Sequence, residues 1–395
     1  MSHGPWDEWI PGVLNKRQVK ELVRHRYIRN ASTDPGDYDY SSLDLRISEQ
    51  AFQLKACVKA FGRNFAGELQ DLNLAEPLQP ARDGSYLLER RKSYLFRLME
   101  QIPELRDSPI YGSATAKSSV GRMDVLARLI VDGMDTYEGF EPKRIEGGDM
   151  YVEITPMTFN VRVKPGTALT QLRLYKGPQK DSLIQGETLL STVYDNYDSN
   201  ASASLSVNLS PDRVSGCDVS AFSAPLRRRD ADAVIDLWKK PENQKPKPWE
   251  HWKFEVIDSN ERLRIVKDRF YIIRSREKIH LPQGIAVYCK ASDETIGEMR
   301  IHYAGFVHPF FGAERTDGTR GTPLIFEIRG HDIDVSLMDG EKMARLEFYR
   351  MSEDARREKN RGGDPYASQS LKLSKFFAAW PKAATRAGDG AVTSK

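Results

Sequence analysis

Apolar and polar residues alternate in the same way in two stretches of the chain that lie 174 residues apart. Residues 152–175 have the sequence VEITPMTFNVRVKPGTALTQLRLY, and residues 326–349 have the sequence FEIRGHDIDVSLMDGEKMARLEFY. In each stretch a glycine, Gly166 or Gly340, separates runs in which apolar residues recur at about every second position. That period is typical of half-buried strands, and glycine suits the tight turn between them. The pattern therefore predicts the same pair of β-strands in two copies.

Further alternating segments surround both copies. Residues 42–48 (SLDLRIS) are similar to residues 204–210 (SLSVNLS), and residues 52–60 (FQLKACVKA) alternate as a half-buried strand does. A chain built from repeated short strands favours a mainly β fold. We therefore predict two tandem β-barrel or β-sandwich modules with a few short helices, one over residues 41–190 and the other over residues 195–350.

Helical patterns are few. Asn15 can cap a helix over residues 16–28, because apolar residues recur there at helical spacing. A second, short helix is predicted in the apolar residues 123–134, and the charged stretch 63–84 is predicted to be a loop. Residues 1–40 would then form a helix and a lead-in to the first module.

Three segments are predicted to lie outside the strands of the modules. Residues 238–250 are rich in proline and lysine, which favours an exposed connection. Residues 351–381 form a polar tail that we expect to fold over another part of the protein. The last residues, 382–395, are predicted to be disordered.

A glutamate stands at the same place in both copies of the strand pair. Glu327 lies between Phe326 and Ile328, in a strand that the rest of its module would cover. A carboxylate in such a place must be paired, for example with Arg329, or protonated, or part of a functional site. Glu153 occupies the matching position of the first copy, so either residue is a candidate for chemistry.

Residues 113–122, SATAKSSVGR, form a candidate anion-binding loop. Small residues and a glycine allow the backbone to approach a ligand closely. The hydroxyls of Ser118 and Ser119 and the guanidinium of Arg122 are donors that suit phosphate oxygens. A solvated turn is the alternative interpretation of this segment taken alone.

Composition describes a globular protein and excludes some functions. Of the 395 residues, 39% are hydrophobic and 29% are charged, and the formal net charge is +3. So small a charge gives no electrostatic argument for a polyanionic partner such as a nucleic acid polymer. No apolar run approaches the roughly 18 residues of a membrane span.

The cysteines and the first residues indicate a compartment. Cys57, Cys217 and Cys289 lie far apart and form no CxxC pair. This distribution argues for a reducing cytoplasm and against a zinc site made of thiolates. The sequence at the N-terminus, MSHGPWDEWIPG, has neither the basic start nor the apolar core of a signal peptide.

Taken together, the motifs resemble those of the dCTP deaminases, a family within the trimeric dUTPase-like β-fold superfamily. That family's pattern has an SxDLR segment, a serine–arginine loop, an AxRxD hairpin, a glutamate ten residues after its aspartate, and a tail with tyrosine and glutamine. In this chain the pattern falls on Ser42, Asp44, Leu45 and Arg46, on Ser118, Ser119 and Arg122, on Ala313, Arg315, Asp317 and Glu327, and on Tyr366 and Gln369. The resemblance implies the family's long, two-module form.

The departures from the family pattern imply how the two modules cooperate. The first module keeps the serine–arginine loop but has no clean hairpin before Glu153. The second module keeps the hairpin and Glu327, but SDETIGEMR replaces its serine–arginine loop. Because sites in this superfamily lie between modules, the resemblance implies composite sites, and it also implies a homo-oligomer. Pro365 replaces a lysine that the family carries before the tail tyrosine.

The resemblance also implies a chemistry, the hydrolytic deamination of dCTP to dUTP and ammonia. The signature of the zinc deaminases, HxE with PCxxC, is absent from the sequence, so we expect no zinc and a glutamate that moves the protons. The implied roles are Glu327 as general base and acid, Arg315 and the Ala313 backbone as positioning groups, Asp317 for the deoxyribose hydroxyl, Ser118, Ser119 and Arg122 for a triphosphate that carries Mg²⁺, and Tyr366 and Gln369 in a closing tail. Glu153 would belong either to a former site that has lost its activity (a fossil site) or to a second active site.

Other interpretations stay open at this stage. A dUTP diphosphatase, alone or combined with a deaminase, uses a related hairpin, and a nucleotide-binding regulator would explain why each module lacks a motif. We expect Asp44 and Arg46 to brace their module rather than to touch a ligand. His308 and His331 are predicted to be loop histidines rather than metal ligands.

Overall fold

The structure, a computed structural model, is mainly β, with most strands in two large sheets. It describes residues 3–58, 64–195, 202–224, 234–291, 305–357 and 370–381, and the backbone alone of residues 299–302. The predicted disorder of residues 382–395 therefore concerns residues outside the described part. Of the helices in the described part, none is long and apolar enough to span a membrane.

The first module contains a nine-stranded sheet and two strands of a small three-stranded sheet, whose third strand (Val234–Asp236) comes from the second half of the chain. Its strands are β1 (Gly12–Val13), β2 (Leu43–Leu54), β3 (Ala75–Pro77), β4 (Tyr86–Leu88), β5 (Ser93–Glu104), β6 (Ile110–Ala116), β7 (Val125–Val131), β8 (Gly139–Phe140), β9 (Glu146–Pro156), β10 (Asn160–Val163) and β11 (Ala168–Lys176). The large sheet has the order β7-β9-β5-β2-β11-β6-β8, with β1 beside β11 and β3 beside β2.

The second module contains a ten-stranded sheet and two small two-stranded sheets. Its strands are β12 (Leu183–Ile184), β13 (Ser204–Asn208), β14 (Asp212–Val214), β15 (Cys217–Val219), β16 (Ala221–Ala224), β17 (Val234–Asp236), β18 (Lys253–Glu255), β19 (Arg262–Ile265), β20 (Phe270–Ile279), β21 (Ile285–Ala291), β22 (Met299–His302), β23 (Gly305–Val307), β24 (Thr322–Gly330), β25 (Val335–Met338) and β26 (Lys342–Arg350). The pairings include the series β22-β24-β20-β13-β26-β21-β23.

The two series of strands correspond position by position. The glutamate strands β9 and β24 occupy the same place, each between a short strand (β7 or β22) and a long one (β5 or β20). In register, Glu153 lies opposite Leu95 and Arg128, and Glu327 lies opposite Ile272 and residue 302. The two-module fold predicted from the sequence is thus the one observed.

Each copy of the predicted strand pair contains three strands rather than two. The expected turns are present, because Gly166 and Gly340 both adopt positive φ angles, +86° and +82°, that favour glycine. Between the glutamate strand and that turn, however, the chain forms the short strands β10 and β25, which pair with β4 and β19 in separate small sheets. The apolar pattern identified the strands but not the break that divides the first one.

Five α-helices are present in the described part of the chain: α1 (Lys16–Arg24), α2 (Phe65–Asp71), α3 (Ser118–Gly121), α4 (Glu187–Val193) and α5 (Pro248–His251). Asn15 caps α1 as predicted, and its side chain accepts from the backbone of Gln18 at 3.0 Å. The helix ends at Arg24, four residues earlier than expected, and Arg26 has a positive φ angle. Asn15 and Gln18 form a reciprocal capping box.

Two local predictions are wrong. The predicted loop 63–84 contains α2, because Phe65, Ala66 and Leu69 lie on one face of the segment and are buried in a small core. The predicted helix over 123–134 is the strand β7, which pairs with β9 along its whole length. Its valines, leucines and isoleucine suit either structure, and the partner strand decides between them.

One predicted strand is shorter than expected, because the strand predicted over 52–60 ends at Leu54, where β2 ends. Most residues of the connection 238–250 are exposed, and the connection also contacts the tail, because the backbone oxygen of Pro246 accepts from Ala378 at 2.9 Å. Trp252, directly after it, is buried against Phe377 of the tail at a ring distance of 5.8 Å.

Candidate active site

A cavity of about 310 Å³ lies where the two modules meet. The first module contributes polar residues to its wall, and the second contributes mainly apolar ones. The lining residues include Asp44, Lys117, Ser118, Ser119, Arg122 and Gln171 from the first module, Cys289, Phe306, His308, Phe311 and Glu327 from the second, and Lys375 from the tail.

The wall from the first module is the end of β6 and the short helix α3. Ser118 and Ser119 begin α3, and Arg122 follows its last residue. The Arg122 side chain is buried, and its Nη1 donates to the backbone oxygen of Lys372 at 3.3 Å. Ser374 Oγ donates to the backbone oxygen of Ser119 at 2.6 Å. The tail therefore holds this wall from behind.

The wall from the second module contains Glu327, which is 5% exposed. Arg122 Nε lies 3.8 Å from Glu327 Oε1, so the ion pair joins the two modules across the cavity. The structure thus brings together Ser118, Ser119, Arg122 and Glu327, four of the residues that the sequence singled out. Their roles stay predictions at this point.

Burial dominates the protonation of Glu327. Removal from water raises its pKa from an ordinary value of 4.5 to about 8, and the negative charge of Asp124 raises it too. The guanidinium of Arg122 opposes this by favouring the carboxylate. A carboxyl group with such a pKa exchanges a proton readily near neutral pH, which is what a group that both accepts and returns a proton requires.

The alternative partner for Glu327, Arg329, is engaged elsewhere. Arg329 Nη2 donates to the Asp124 carboxylate and, at 2.7 Å, to Thr158 Oγ1, and Nη1 donates to the backbone oxygen of Asp268 at 2.9 Å. The interpretation of Glu327 as a structural partner of Arg329, which the sequence allowed, is therefore wrong. The cation beside Glu327 comes from the other module.

Two lysines at the cavity were not predicted from the sequence. Lys117 pairs with Asp44, and Lys375 reaches the cavity from the tail. Burial and the nearby positive charge of Lys117 lower the pKa of Lys375. Lys117 directly precedes Ser118 in the candidate anion-binding loop, so the sequence could have identified it. The residues around Lys375 contain no motif that would predict its place at the cavity. With Arg122 the two lysines make this side of the cavity cationic.

Asp44 lies at the cavity, whereas Arg46 lies away from it. Asp44 lines the cavity and pairs with Lys117, and its expected bracing role stays a prediction. Arg46 does brace the module, because its Nε donates to the buried Glu100 carboxylate at 2.8 Å and its Nη2 to the backbone oxygen of Asn30 at 2.7 Å.

The predicted hairpin residues do not line this cavity. Ala313, Arg315 and Asp317 belong to the loop that precedes β24. Arg315 donates to Thr319 Oγ1 at 2.6 Å and to the backbone oxygen of Gly321 at 2.9 Å. The exposed Asp317 accepts from Thr319. The loop is therefore closed by its own hydrogen bonds, away from Glu327, and spacing along the sequence could not reveal this.

The predicted tail contacts can be described only in part. Tyr366 and Gln369 lie outside the described residues. Within residues 370–381, Lys375 lines the cavity, and Leu373, Phe376 and Phe377 are buried in the core of the first module. Lys375 lies among these apolar anchors, which fixes it at the cavity.

Glu153, the counterpart of Glu327, has a different environment. It is 1% exposed and accepts from Arg128, which stands in the position that residue 302 occupies in the second module. The Arg128 guanidinium lies 4.3 Å from the centre of the Tyr137 ring. Glu153 is thus neutralised by its neighbouring strand, and it does not line the cavity described above.

The histidines contribute to hydrogen bonding. His308 lines the cavity, with Nδ1 2.8 Å from Ser41 Oγ and Nε2 3.8 Å from Asp39 Oδ2. His308 lies in the loop after β23, as predicted, and it also belongs to the cavity wall. His331 lies at another pocket. Within the described ranges, no group of three or more His, Cys, Asp and Glu residues is arranged to hold a metal ion.

Comparisons with known proteins point to one family. Residues 10–178 match the family described as 2'-deoxycytidine 5'-triphosphate deaminase (DCD) N-terminal domain, and residues 178–377 match the corresponding C-terminal domain. A solved structure described as the crystal structure of 2'-deoxycytidine 5'-triphosphate deaminase from Agrobacterium tumefaciens is similar, with a TM-score of 0.76 and 26% identity over 87% of this chain and 97% of that one. No curated protein matches the sequence.

The raised pKa of Glu327 predicts a dependence of stability on pH. Between about pH 4.5 and pH 8 the folded protein holds this proton and the unfolded chain releases it, so stability falls as the pH rises through that window. Glu327→Gln removes the effect. We expect its free energy of unfolding, relative to wild type, to increase between pH 5 and pH 8 by up to about 1.4 kcal/mol per pH unit.

Urea unfolding at pH 5, 6, 7 and 8 would measure this difference. The exposed Glu261→Gln provides the control, for which we expect a difference that does not change with pH. A Glu327→Gln difference that is equally flat would contradict a carboxyl group kept protonated by burial.

Proposed function

The chain belongs to the 2'-deoxycytidine 5'-triphosphate deaminase family, and we propose that it deaminates dCTP by hydrolysis to dUTP and ammonia. One observation carries the residue-level proposal. Glu327 of the second module faces Arg122, Ser118 and Ser119 of the first across a single cavity. A proton-exchanging group and donors for an anion are therefore within reach of one bound nucleotide.

In the proposed reaction Glu327 is general base first and general acid afterwards. It takes a proton from the water that attacks C4 of cytosine and delivers a proton to N3. The proton of the new hydroxyl then returns through Glu327 to the amino group, which leaves as ammonia while the C4 carbonyl forms. A pKa raised to about 8 supports both directions of transfer near neutral pH.

Arg122 has two tasks in this proposal. Its guanidinium lies beside Glu327, where it favours the carboxylate at the moment when the base is needed. It also belongs to the cationic side of the cavity with Lys117 and Lys375, and this side would hold the triphosphate together with the hydroxyls of Ser118 and Ser119. Mg²⁺ would accompany the nucleotide through its phosphate oxygens, and the base chemistry would use no zinc.

The exposed loop with Ala313, Arg315 and Asp317 fits the proposal only in an assembly. In the single chain these residues lie outside the cavity wall. We propose that the protein is a homo-oligomer and that this loop contributes to a site formed with a neighbouring chain. Internal duplication of one ancestral module is a further proposal, supported by the shared strand order. A cytoplasmic location stays a prediction from the separated cysteines.

Incubation with dCTP and with dUTP, separately, tests the proposed function. We expect ammonia and dUTP from dCTP, dependent on Mg²⁺ and unaffected by chelation of zinc with a zinc-selective chelator. Pyrophosphate from either nucleotide would indicate a diphosphatase, alone or combined with deamination. Binding without turnover would indicate a regulator, and activity restored only by zinc would contradict the metal-free base chemistry.

Substitution of each glutamate separates the two modules. Glu327→Gln preserves shape but cannot exchange a proton, so turnover of dCTP should fall by about 10²–10⁴-fold, while nucleotide binding survives. Glu153→Gln should reduce turnover far less, because Arg128 already neutralises Glu153 within its own sheet.

Rates and nucleotide binding, both measured on folded protein, decide this comparison. If Glu153→Gln is inactive and Glu327→Gln is active, catalysis belongs to the first module and the proposed role of Glu327 is wrong. Similar partial losses in both variants would instead indicate two working sites.

Loss of the proposed phosphate donors should weaken productive binding even though they belong to the other module from Glu327. Removing a charged hydrogen bond costs about 1.5–3 kcal/mol, so Arg122→Ala should lower kcat/KM by a factor of roughly ten to a hundred or more. Ser118→Ala should have a smaller effect in the same direction, because its hydroxyl is neutral.

The exposed residues Arg213 and Ser191 provide matched controls, as Arg213→Ala and Ser191→Ala. Steady-state kinetics with dCTP would compare all four variants with the wild type. Unchanged kcat/KM in both Arg122→Ala and Ser118→Ala would refute the composite site.

A further inference from the structure

A second ion pair crosses the module boundary beside the candidate site, and the proposed chemistry does not use it. Asp124 of the first module accepts from Arg329 of the second, and their side chains are 0% and 4% exposed. Neither residue lines the cavity. Charged groups so thoroughly removed from water must be paired, and a purely structural pair is costly to bury.

The position of this pair relative to the site is regular. Asp124 follows Arg122 by two residues in the turn after α3, and Arg329 follows Glu327 by two residues on β24. Side chains two residues apart in a strand lie on the same face. Two contacts therefore run side by side between the same two segments, Arg122 with Glu327 and Asp124 with Arg329, and the signs of the charges alternate.

Other elements hold both ends of the second pair. Asp124 has a φ angle of +55°, and its backbone oxygen accepts from Met157 at 2.8 Å. Its carboxylate also accepts from Thr158 Oγ1 at 2.6 Å. Arg329 donates to the backbone oxygen of Asp268 at 2.9 Å. The pair is thus anchored independently of the cavity, so it can locate the two segments relative to each other.

We propose that Asp124 and Arg329 are positioning residues for the proposed deamination, holding the Arg122 turn against the Glu327 strand and setting the charge that Glu327 faces. The inference rests on the proposed function for its catalytic meaning. Neither residue touches the nucleotide in this proposal. Their effect is exerted through Arg122 and Glu327.

The charges around Glu327 determine the direction of the effect. Arg122 faces it from the first module, Asp124 lies in the same turn as Arg122, and the half-buried Cys289 of β21 lies near it in the cavity wall. The remaining charged or titratable groups of the cavity are Asp39, Asp44, Lys117, Lys290, His308 and Lys375. The carboxylate of Asp124 disfavours a second negative charge on Glu327. The positive charge of Arg329 weakens this effect of Asp124.

Opposite substitutions should therefore move the Glu327 titration in opposite directions. Asp124→Asn removes a negative charge and leaves Arg329 uncompensated, so the acid limb of kcat/KM against pH should shift lower by roughly one pH unit. Arg329→Met leaves Asp124 uncompensated, so the limb should shift higher. Arg329→Lys keeps the charge and should restore the wild-type limb. Misplacement of the turn should also lower kcat, by up to ~10²-fold.

A direct titration keeps this test separate from the proposed function. The infrared carboxyl band of each protein, minus that of the same protein with Glu327→Gln, follows protonation of Glu327 without turnover. Glu100→Gln is the matched control, because Glu100, like Asp124, is a buried carboxylate of the first module. It pairs with Arg46 at 2.8 Å and does not line the cavity. We expect this substitution to reduce stability but to leave the Glu327 titration unchanged.

The outcomes are distinguishable. A wild-type protein that does not deaminate dCTP refutes the proposed function, whereas the infrared titration still tests the influence of the pair on Glu327. Shifts of opposite sign in Asp124→Asn and Arg329→Met support the inference. If Asp124→Asn does not fold, an upward shift in Arg329→Met that Arg329→Lys reverses supports it equally. Titrations that stay unchanged, or that move in the same direction, overturn it.

Discussion

The burial of a carboxyl group at the module boundary is the constraint on which the rest of the site depends. Glu327 has little contact with water, and its charged form is tolerated only because Arg122 approaches from the other module. Removing one partner of a buried ion pair typically lowers the free energy of unfolding by about 3–5 kcal/mol. The fold must therefore hold two segments from distant parts of the chain in fixed register, and the tail behind Arg122 and the strands beside Glu327 do so.

Local patterns were sufficient for much of the fold. Two copies of an alternating stretch, each with a glycine in its turn, identified the repeated strands, because strand periodicity and positive φ angles depend on nearby residues. The same reasoning singled out Glu327, since a glutamate between Phe326 and Ile328 must be paired, protonated or part of a functional site. Ser118 and Arg122 were recognised because their motif is contiguous. The structure places these residues in one cavity.

The features that the sequence did not predict depend on contacts between residues that are distant along the chain. The apolar pattern of β7 predicts a helix, and only its pairing with β9 makes it a strand. Lys375 reaches the cavity because the apolar residues around it anchor the tail, and no local feature of the tail shows this. Arg315 was predicted beside Glu327, but hydrogen bonds within its own loop hold it elsewhere. Spacing along the chain says little about where such a loop points.

The parallel pairing of β17 with β10 has a consequence for how the chain could have evolved and could be engineered. β17 comes from the second half of the chain but completes a small sheet of the first, and Trp252 and Phe270 of the second half enter the core of the first. The two halves are interlaced rather than merely adjacent. A gene split near residue 178 would separate strands that need each other, so neither half would be a self-sufficient folding unit.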